Sequence, residues 1–348
     1  MKCYYKMTSK KTLGQFFTAN SDYILNGMRI PDGVDIIEPF AGSLDLVKWC
    51  GRQSGVEKYD IDPKHTSIEK RDTLANPPDY NGKWVLTNPP YLARNKSVDK
   101  SLFDKYGTND LYKCFLYSIG DCDGGIIIIP AGFFMSPRDI DIKCRNYFME
   151  RFVIKRVNYF EERVFGDTSI TVVSILFDRC DEKSDIQSVE WNIFPSKQTK
   201  TFEMKKEFGW IIGGEIYNMN KNNTVKLRRF VSGMKMKDDE YISGLTLHAL
   251  DSGNQKGRIK LVYETGKVYE GKPTSRSFAT LCLNIKLTEV EQRFVADEFT
   301  RFIEEKRDEF YSMFLPMYRE SKEYSRKRIP FELAYDIISH IISMLRSL

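Results

Sequence analysis

Lys83-Trp84-Val85-Leu86-Thr87-Asn88-Pro89-Pro90-Tyr91 is a short β-favouring run that stops at two prolines. A proline has no N–H to give to a ladder, so two in succession end the strand. The stop leaves an amide side chain (Asn88), two stiff carbonyls (Pro89, Pro90) and an aromatic ring (Tyr91) at the strand's carboxyl end. In an open α/β sheet, ligands bind there. These groups suit work on an amino group attached to a flat ring. Such a nitrogen is a poor nucleophile because its lone pair is delocalised into the ring. The Asn88 side-chain oxygen and the Pro89 carbonyl can each accept one N–H, so the nitrogen can pyramidalise toward an electrophile. Tyr91 offers a stacking face worth roughly 1–3 kcal/mol per base. An ordinary Pro-Pro turn accounts for the same four residues, so the tetrapeptide alone leaves both readings open.

Outward from this strand the pattern alternates. A helix-like stretch, residues 21–28, and the turn Pro31-Asp32-Gly33 precede a strand at Val34-Asp35-Ile36-Ile37. Glu38-Pro39-Phe40-Ala41-Gly42-Ser43 follows, then a helix over residues 44–50, whose N-terminus favours polar or anionic groups. A second strand, residues 56–59, ends in Asp60-Ile61-Asp62-Pro63. Asp60 stands about twenty residues past the glycine turn, where an acidic side chain typically holds ribose hydroxyls. Arg71-Asp72-Thr73-Leu74 forms a third short segment before the Asn-Pro-Pro-Tyr strand. Residues 110–118 read as helix, and Gly124-Gly125-Ile126-Ile127-Ile128-Ile129-Pro130 as a strand buried on both faces. Residues 151–159 and 170–177 add two strands. The alternation predicts an α/β fold with a doubly wound, mainly parallel sheet.

The 348 residues suit two domains, and 41% hydrophobic content supports a real core. No apolar run is long enough for a membrane-spanning helix, and the N-terminus lacks the apolar stretch of a secretory signal. Seven cysteines without CxxC pairing read as reduced thiols of an intracellular protein. Three histidines make a zinc site unexpected, so no metal is assigned. The net charge of +5 is compatible with nucleic acid.

Composition turns charged at Asp178-Arg179-Cys180-Asp181-Glu182-Lys183-Ser184. This predicts domains over residues 1–180 and 185–348, the second mixed and helical. Residues 185–285 are less regular, and helix resumes from Thr288, with Thr288 and Glu291 spaced as a capping box. The polar region between Gly244 and Arg276 offers Thr246, His248, Asp251, Ser252, Asn254, Gln255, Arg258 and Arg276 for base reading. Arg319, Lys322, Arg326, Lys327 and Arg328, in a helical tail with Tyr318 and Tyr324 interleaved, suit phosphates. A solvated helix face accounts for the tail cluster equally simply.

Taken together, these motifs resemble the DNA adenine-N6 methyltransferases of the gamma arrangement, over roughly residues 11–180. Gly14-Gln15-Phe16-Phe17-Thr18 resembles the segment that closes over S-adenosylmethionine, and Glu38-Pro39-Phe40-Ala41-Gly42 the first-strand motif. Asp60, followed by Ile61, matches the ribose-holding acid. Asp72, followed by Thr73 and Leu74, matches the acid that hydrogen-bonds the cofactor's adenine. Asn88-Pro89-Pro90-Tyr91 matches the catalytic motif, with Asn88 and Pro90 also beside the cofactor. Asp110-Leu111-Tyr112 and residues 125–130 resemble later motifs, and Phe165 stands where an aromatic contacts the flipped base. The first-strand motif usually carries a second glycine where this chain has Leu44, so closer backbone approach to the cofactor is in question. The tail, Tyr318-Arg319-Glu320-Ser321 and residues 326–331, resembles that of type II modification methyltransferases, including those of large algal viruses.

The resemblance implies a seven-stranded class I methyltransferase sheet, S-adenosylmethionine as cofactor with S-adenosylhomocysteine as product, and double-stranded DNA as partner. It also implies a separately acting restriction endonuclease, a monomer or weak dimer, and a place in the cytoplasm or a nucleoid or viral DNA compartment. The target adenine would flip out of the stack and lie between Tyr91 and Phe165. Protein-glutamine methyltransferases resemble the same tetrapeptide, because a glutamine amide poses the same chemical problem; they usually place a helical docking domain before the cofactor domain. RNA adenine methylation is a further alternative.

Overall fold

The structure, a computed structural model, describes residues 14, 16, 18–52, 54–166, 168, 170–180, 182–219, 225–251, 257–318 and 326–347. It divides into two compact units, Met1–Trp210 and Ile211–Leu348.

In the first unit, α1 (Ser21–Ile24), β1 (Asp35–Glu38), α2 (Asp45–Trp49), β2 (Val56–Asp60), β3 (Glu69–Lys70) and β4 (Lys83–Thr87) come first. They are followed by α3 (Ser101–Tyr106), α4 (Leu111–Ser118), β5 (Gly124–Pro130), α5 (Gly132–Met135) and α6 (Asp139–Met149). The unit ends with β6 (Phe152–Phe160), β7 (Val172–Arg179), β8 (Ile186–Phe194) and β9 (Gln198–Lys205). All nine strands form one sheet, in the order β3-β2-β1-β4-β5-β7-β6-β8-β9. From β3 to β5 every pairing is parallel. β7 runs antiparallel to both β5 and β6, β8 is parallel to β6, and β9 closes the edge antiparallel to β8.

The expected doubly wound sheet is therefore present, but it has nine strands and is mixed rather than seven-stranded. The two added strands also move the boundary. The charged run near residue 180 is a turn within the sheet, and β8 buries Val189, Trp191 and Ile193 on alternate positions. The division between units falls at Trp210, beyond the break predicted at residues 180–185. Ile126 to Ile129 of β5 are each at most 1% exposed, as the continuous apolar run demands of a central strand. β1 is flanked by β2 on one side and β4 on the other, so the winding reverses there. The crevice outside the carboxyl ends of these strands is the topological switch point.

In the second unit, β10 (Leu227–Arg229), β11 (Tyr241–His248), β12 (Lys260–Tyr263) and β13 (Phe278–Leu283) form an antiparallel sheet ordered β10-β13-β11-β12. Helix α7 (Glu289–Glu309), a two-stranded ribbon of β14 (Met317–Tyr318) and β15 (Arg326–Lys327), and helix α8 (Phe331–Ser347) complete it. Val295, Phe299 and Ile303 recur every four residues on α7. They pack with Leu245, Leu281, Ile337 and Ile341 in one core. The capping box forms as read. Thr288 Oγ1 accepts the Glu291 N–H at 3.3 Å, and the Glu291 carboxylate accepts the Thr288 N–H at 2.6 Å. Arg326 and Lys327 belong to a strand, not to the helical tail expected of them.

Among the described residues no helix is long and apolar enough to cross a membrane, and no cluster of side chains could hold a metal ion.

Candidate active site

A cavity of about 190 Å³ opens at the switch point. Its walls come from the segments that follow four successive parallel strands. Phe40 and Gly42 follow β1; Asp60 and Ile61 end β2; Arg71 to Leu74 follow β3; Asn88 and Pro90 follow β4. Phe16 adds a ring from the N-terminal segment. Ten of the residues assigned to the cofactor from sequence thus converge on one space: Phe16, Phe40, Gly42, Asp60, Ile61, Asp72, Thr73, Leu74, Asn88 and Pro90. Gln15 and Phe17 lie outside the described residues. Thr18, Glu38 and Ala41 do not line the cavity; each is buried behind it.

Asp60 shapes the glycine turn as well as the wall. Its Oδ2 accepts the Gly42 N–H at 2.9 Å and its Oδ1 the Asp62 N–H at 2.8 Å. Asp72 Oδ1 accepts the N–H groups of Leu74 and Ala75 at 3.1 and 3.0 Å, and the Thr73 hydroxyl donates to the Pro39 carbonyl at 3.1 Å. The loops after β1 and β3 are thereby tied to each other. Where the related motif carries a second glycine, Leu44 holds φ 64° and ψ 23°, the left-handed conformation glycine adopts without cost. The backbone path of the turn is kept, at the expense of strain.

Beneath the turn, Glu38 is 1% exposed and accepts the Phe40 N–H at 3.2 Å and the Thr87 hydroxyl. Burial pushes its carboxyl up to about 8, against the pull of those two hydrogen bonds. It is a brace between β1 and β4, not a wall of the cavity.

The Asn88 amide is fully oriented. Its Nδ2 donates to the Phe16 carbonyl at 2.9 Å and to Thr18 Oγ1 at 3.1 Å, and its Oδ1 accepts the Tyr91 hydroxyl. The same hydroxyl lies 2.7 Å from the Ile128 carbonyl. Burial holds the Tyr91 phenol well above its ordinary range, so it stays a donor. Phe16 is in ring contact with Tyr91 (centroids 5.5 Å apart, planes at 32°) and with Phe165 (6.3 Å, 28°). Tyr91 and Phe165 are 5% and 3% exposed, so neither presents a bare face, and neither lines the cavity. The expected sandwich of a base between Tyr91 and Phe165 is corrected in this respect: the ring in contact with both is Phe16. Pro89 is buried beside them.

Most of the opposite wall was missed from sequence, where only Leu111 was named, in the motif Asp110-Leu111-Tyr112. Leu92, Ser97, Asp99, Leu102, Phe103 and Leu111 complete it, from the loop after Tyr91 and from α3 and α4. Its one local signal is the pair Asp99 and Ser101, where the Asp99 carboxylate accepts the Ser101 N–H at 2.8 Å at the start of α3. The cavity carries three carboxylates, Asp60, Asp72 and Asp99, against one guanidinium, Arg71, among apolar walls. This donor set fits a cationic ligand with hydroxyl and amino groups on a flat apolar body, as S-adenosylmethionine has.

In the second unit the base-reading candidates separate by burial. Thr246 is fully buried, its hydroxyl 3.2 Å from that of Thr280. Asp251 is 4% exposed and accepts two hydrogen bonds from Arg307, at 3.0 and 2.8 Å. Neither can reach a base edge, because each is spent inside the unit. Lys327 is also buried, and Arg326 Nε donates to the Asp251 carbonyl at 2.6 Å, so these two tail cations have structural tasks. Arg328 is half-buried, and its N–H donates to the Pro316 carbonyl at 3.1 Å. His248 is half-buried with its ring edge-on to Phe278 at 4.7 Å, and burial with Lys260 nearby lowers its pKa. Arg258 and Arg276 are exposed. Ser252, Asn254, Gln255, Arg319 and Lys322 lie outside the described residues.

No protein-family model and no curated protein sequence matches the chain. Among solved structures, it is similar to a protein assigned as the modification subunit of a type I restriction enzyme from Vibrio vulnificus. That match has 16% identity over 56% of this chain and 52% of that one, with a TM-score of 0.42. It is also similar to a type I restriction-modification methyltransferase subunit from Streptococcus thermophilus, with 16% identity over 54% and 50% and a TM-score of 0.39. The chain spans about half the length of these two structures.

Proposed function

We propose that this chain binds S-adenosylmethionine in the switch-point cavity and transfers its methyl group to N6 of an adenine flipped out of duplex DNA. The observation that carries the reading is the Asn88 amide. At the edge of a cavity rich in carboxylates, both its N–H donors are engaged by the protein, so what it has left to offer a target is acceptor capacity. An amide oxygen has two acceptor sites, and Tyr91 takes one. The remaining site and the Pro89 carbonyl suit the two N–H bonds of an amino group. The cofactor, when bound, supplies an electrophilic methyl group on a sulfonium.

Among the residues that line the cavity, Asp60 suits the ribose hydroxyls, Asp72 and Asp99 suit amino groups, and Phe40, Ile61, Leu74 and Phe103 suit apolar surface. Accepting N–H bonds keeps the amino lone pair out of conjugation with the ring, and stabilises positive charge developing on nitrogen. The nitrogen forms the new N–C bond as the C–S bond breaks. Its electron pair stays on sulfur, leaving S-adenosylhomocysteine, and the methylated nitrogen gives up a proton to water. DNA recognition falls to the second unit, with a separately acting restriction endonuclease as the biological counterpart.

Methyl transfer from labelled S-adenosylmethionine to duplex DNA, RNA and a release-factor-like protein tests the reading. Label in duplex DNA at N6 of adenine supports it. Label in RNA alone, or in a protein glutamine, replaces it. Asn88→Ala is expected to lose most turnover while keeping cofactor affinity; near-normal transfer by that variant sinks the role given to Asn88.

A further inference from the structure

Thr18 belongs by motif to the residues that close over the cofactor, yet its hydroxyl points to Asn88. Thr18 is 4% exposed, does not line the cavity, and accepts from Asn88 Nδ2 at 3.1 Å. It is itself held, because the Ser21 hydroxyl at the start of α1 donates to the Thr18 carbonyl at 2.7 Å. The second amide proton goes to the Phe16 carbonyl at 2.9 Å. A carbonyl only accepts, so nitrogen and not oxygen must face Phe16. A flipped amide would set acceptor against acceptor there.

We propose that Thr18 is a positioning residue which, with the Phe16 carbonyl, takes both amide protons of Asn88 and locks the amide oxygen toward the target. The proposal rests on the amino-group methyl-transfer reading and deepens it by naming a residue that orients Asn88. Because Asn88 can then only accept, a target must bring N–H donors to the site. Engaging both N–H groups also raises the negative charge on the amide oxygen, which makes it the better acceptor for a nitrogen turning positive.

Two variants of the full chain test this, Thr18→Val, which removes the acceptor at nearly constant shape, and Thr18→Ser, which keeps it. Single-turnover methyl transfer is expected to slow about tenfold in Thr18→Val, with S-adenosylmethionine affinity by calorimetry held within about twofold, and to recover in Thr18→Ser to within about threefold of wild type. A readout independent of turnover is solvent exchange of the Asn88 side-chain NH₂ by ¹⁵N NMR, its signal identified by its loss in Asn88→Asp. Exchange is expected to be about tenfold faster in Thr18→Val than in wild type or Thr18→Ser. The proposal is overturned if Thr18→Val weakens cofactor affinity as much as it slows transfer, for then Thr18 is a cofactor contact. It is equally overturned if rate and exchange are both unchanged. If wild type transfers no methyl group to DNA, the functional reading fails, and the exchange comparison still decides whether the lock exists.

Discussion

Gly14 and Tyr91 meet backbone to backbone: the Tyr91 N–H donates to the Gly14 carbonyl at 2.9 Å, and a Cβ on Gly14 would lie 2.8 Å from the Tyr91 carbonyl oxygen. Gly14 also holds φ 67°, where a side chain is strained. This contact docks the segment that carries Phe16 and Thr18 onto the Asn-Pro-Pro-Tyr turn. Gly14→Ala is expected to loosen the segment and weaken S-adenosylmethionine binding about tenfold, since Phe16 lines the cavity. Calorimetry checks it. Unchanged affinity would separate this docking contact from the cofactor site.

Much of this arrangement was legible because strand ends are written locally. Two prolines after Thr87, a glycine after Ala41 and acids at positions 60 and 72 each stop or turn a segment by their own chemistry. The topology then gathers them on one side of the sheet. What was illegible depends on partners distant in sequence. Nothing local tells Asp251 that Arg307 will be its partner, or Thr246 that it will face Thr280. The wall formed by Leu92, Ser97, Leu102 and Phe103 consists of ordinary loop and helix residues, brought to the cavity by the path of the loop after Tyr91 and by α3. β8 and β9 were hidden for another reason. The charged run before them imitates a linker, although β8 alternates exposed and buried side chains from Ile186 and then buries its last four.

Leu44 gives a test of the turn in which two truncations are compared. Leu44→Ala and Leu44→Gly both remove the side chain beyond Cβ, but only glycine, which lacks Cβ as well, relieves φ 64°. The glycine variant is expected to be the more stable by about 1–2 kcal/mol, measured by urea denaturation. Alanine proving the more stable would mean that Leu44 is not held in the left-handed region.

Glu38 links stability to pH. Its folded value of about 8 lies above its ordinary value of 4.5, so between these limits the folded state holds more proton than the unfolded chain. Its contribution is complete at acid pH, below the unfolded value, and is lost as pH rises through about 8. Glu38→Gln, neutral throughout, is expected to gain on wild type as pH rises, by up to about 1.4 kcal/mol per pH unit for one proton. Denaturation of both proteins across this window checks it. Parallel pH profiles would show that Glu38 is ionised as usual in the fold.

Asp251 and Arg307 form a buried pair with side chains at most 6% exposed. Removing one partner leaves an uncompensated charge in the interior. Asp251→Ala is therefore expected to destabilise the second unit by about 3–5 kcal/mol. If instead the variant melts like wild type and loses only sequence discrimination on DNA, the pair is not what holds Asp251.

Arg258 and Arg276 are the exposed arginines of the region assigned to base reading. Both side chains are exposed, and a melting curve of each variant separates a loss of folding from a loss of binding. A guanidinium that reads guanine through O6 and N7 is worth about 1–3 kcal/mol of discrimination. One that meets only phosphate lowers affinity for all sequences alike and reduces the salt slope by about one. If the region assigned to base reading has that role, Arg258→Ala and Arg276→Ala weaken binding to the methylated site more than to scrambled duplex. Affinities on both duplexes over a salt series measure the difference. Equal losses on the two duplexes, with a shallower salt slope, would move these arginines to the phosphate backbone and leave base reading to other side chains of the second unit.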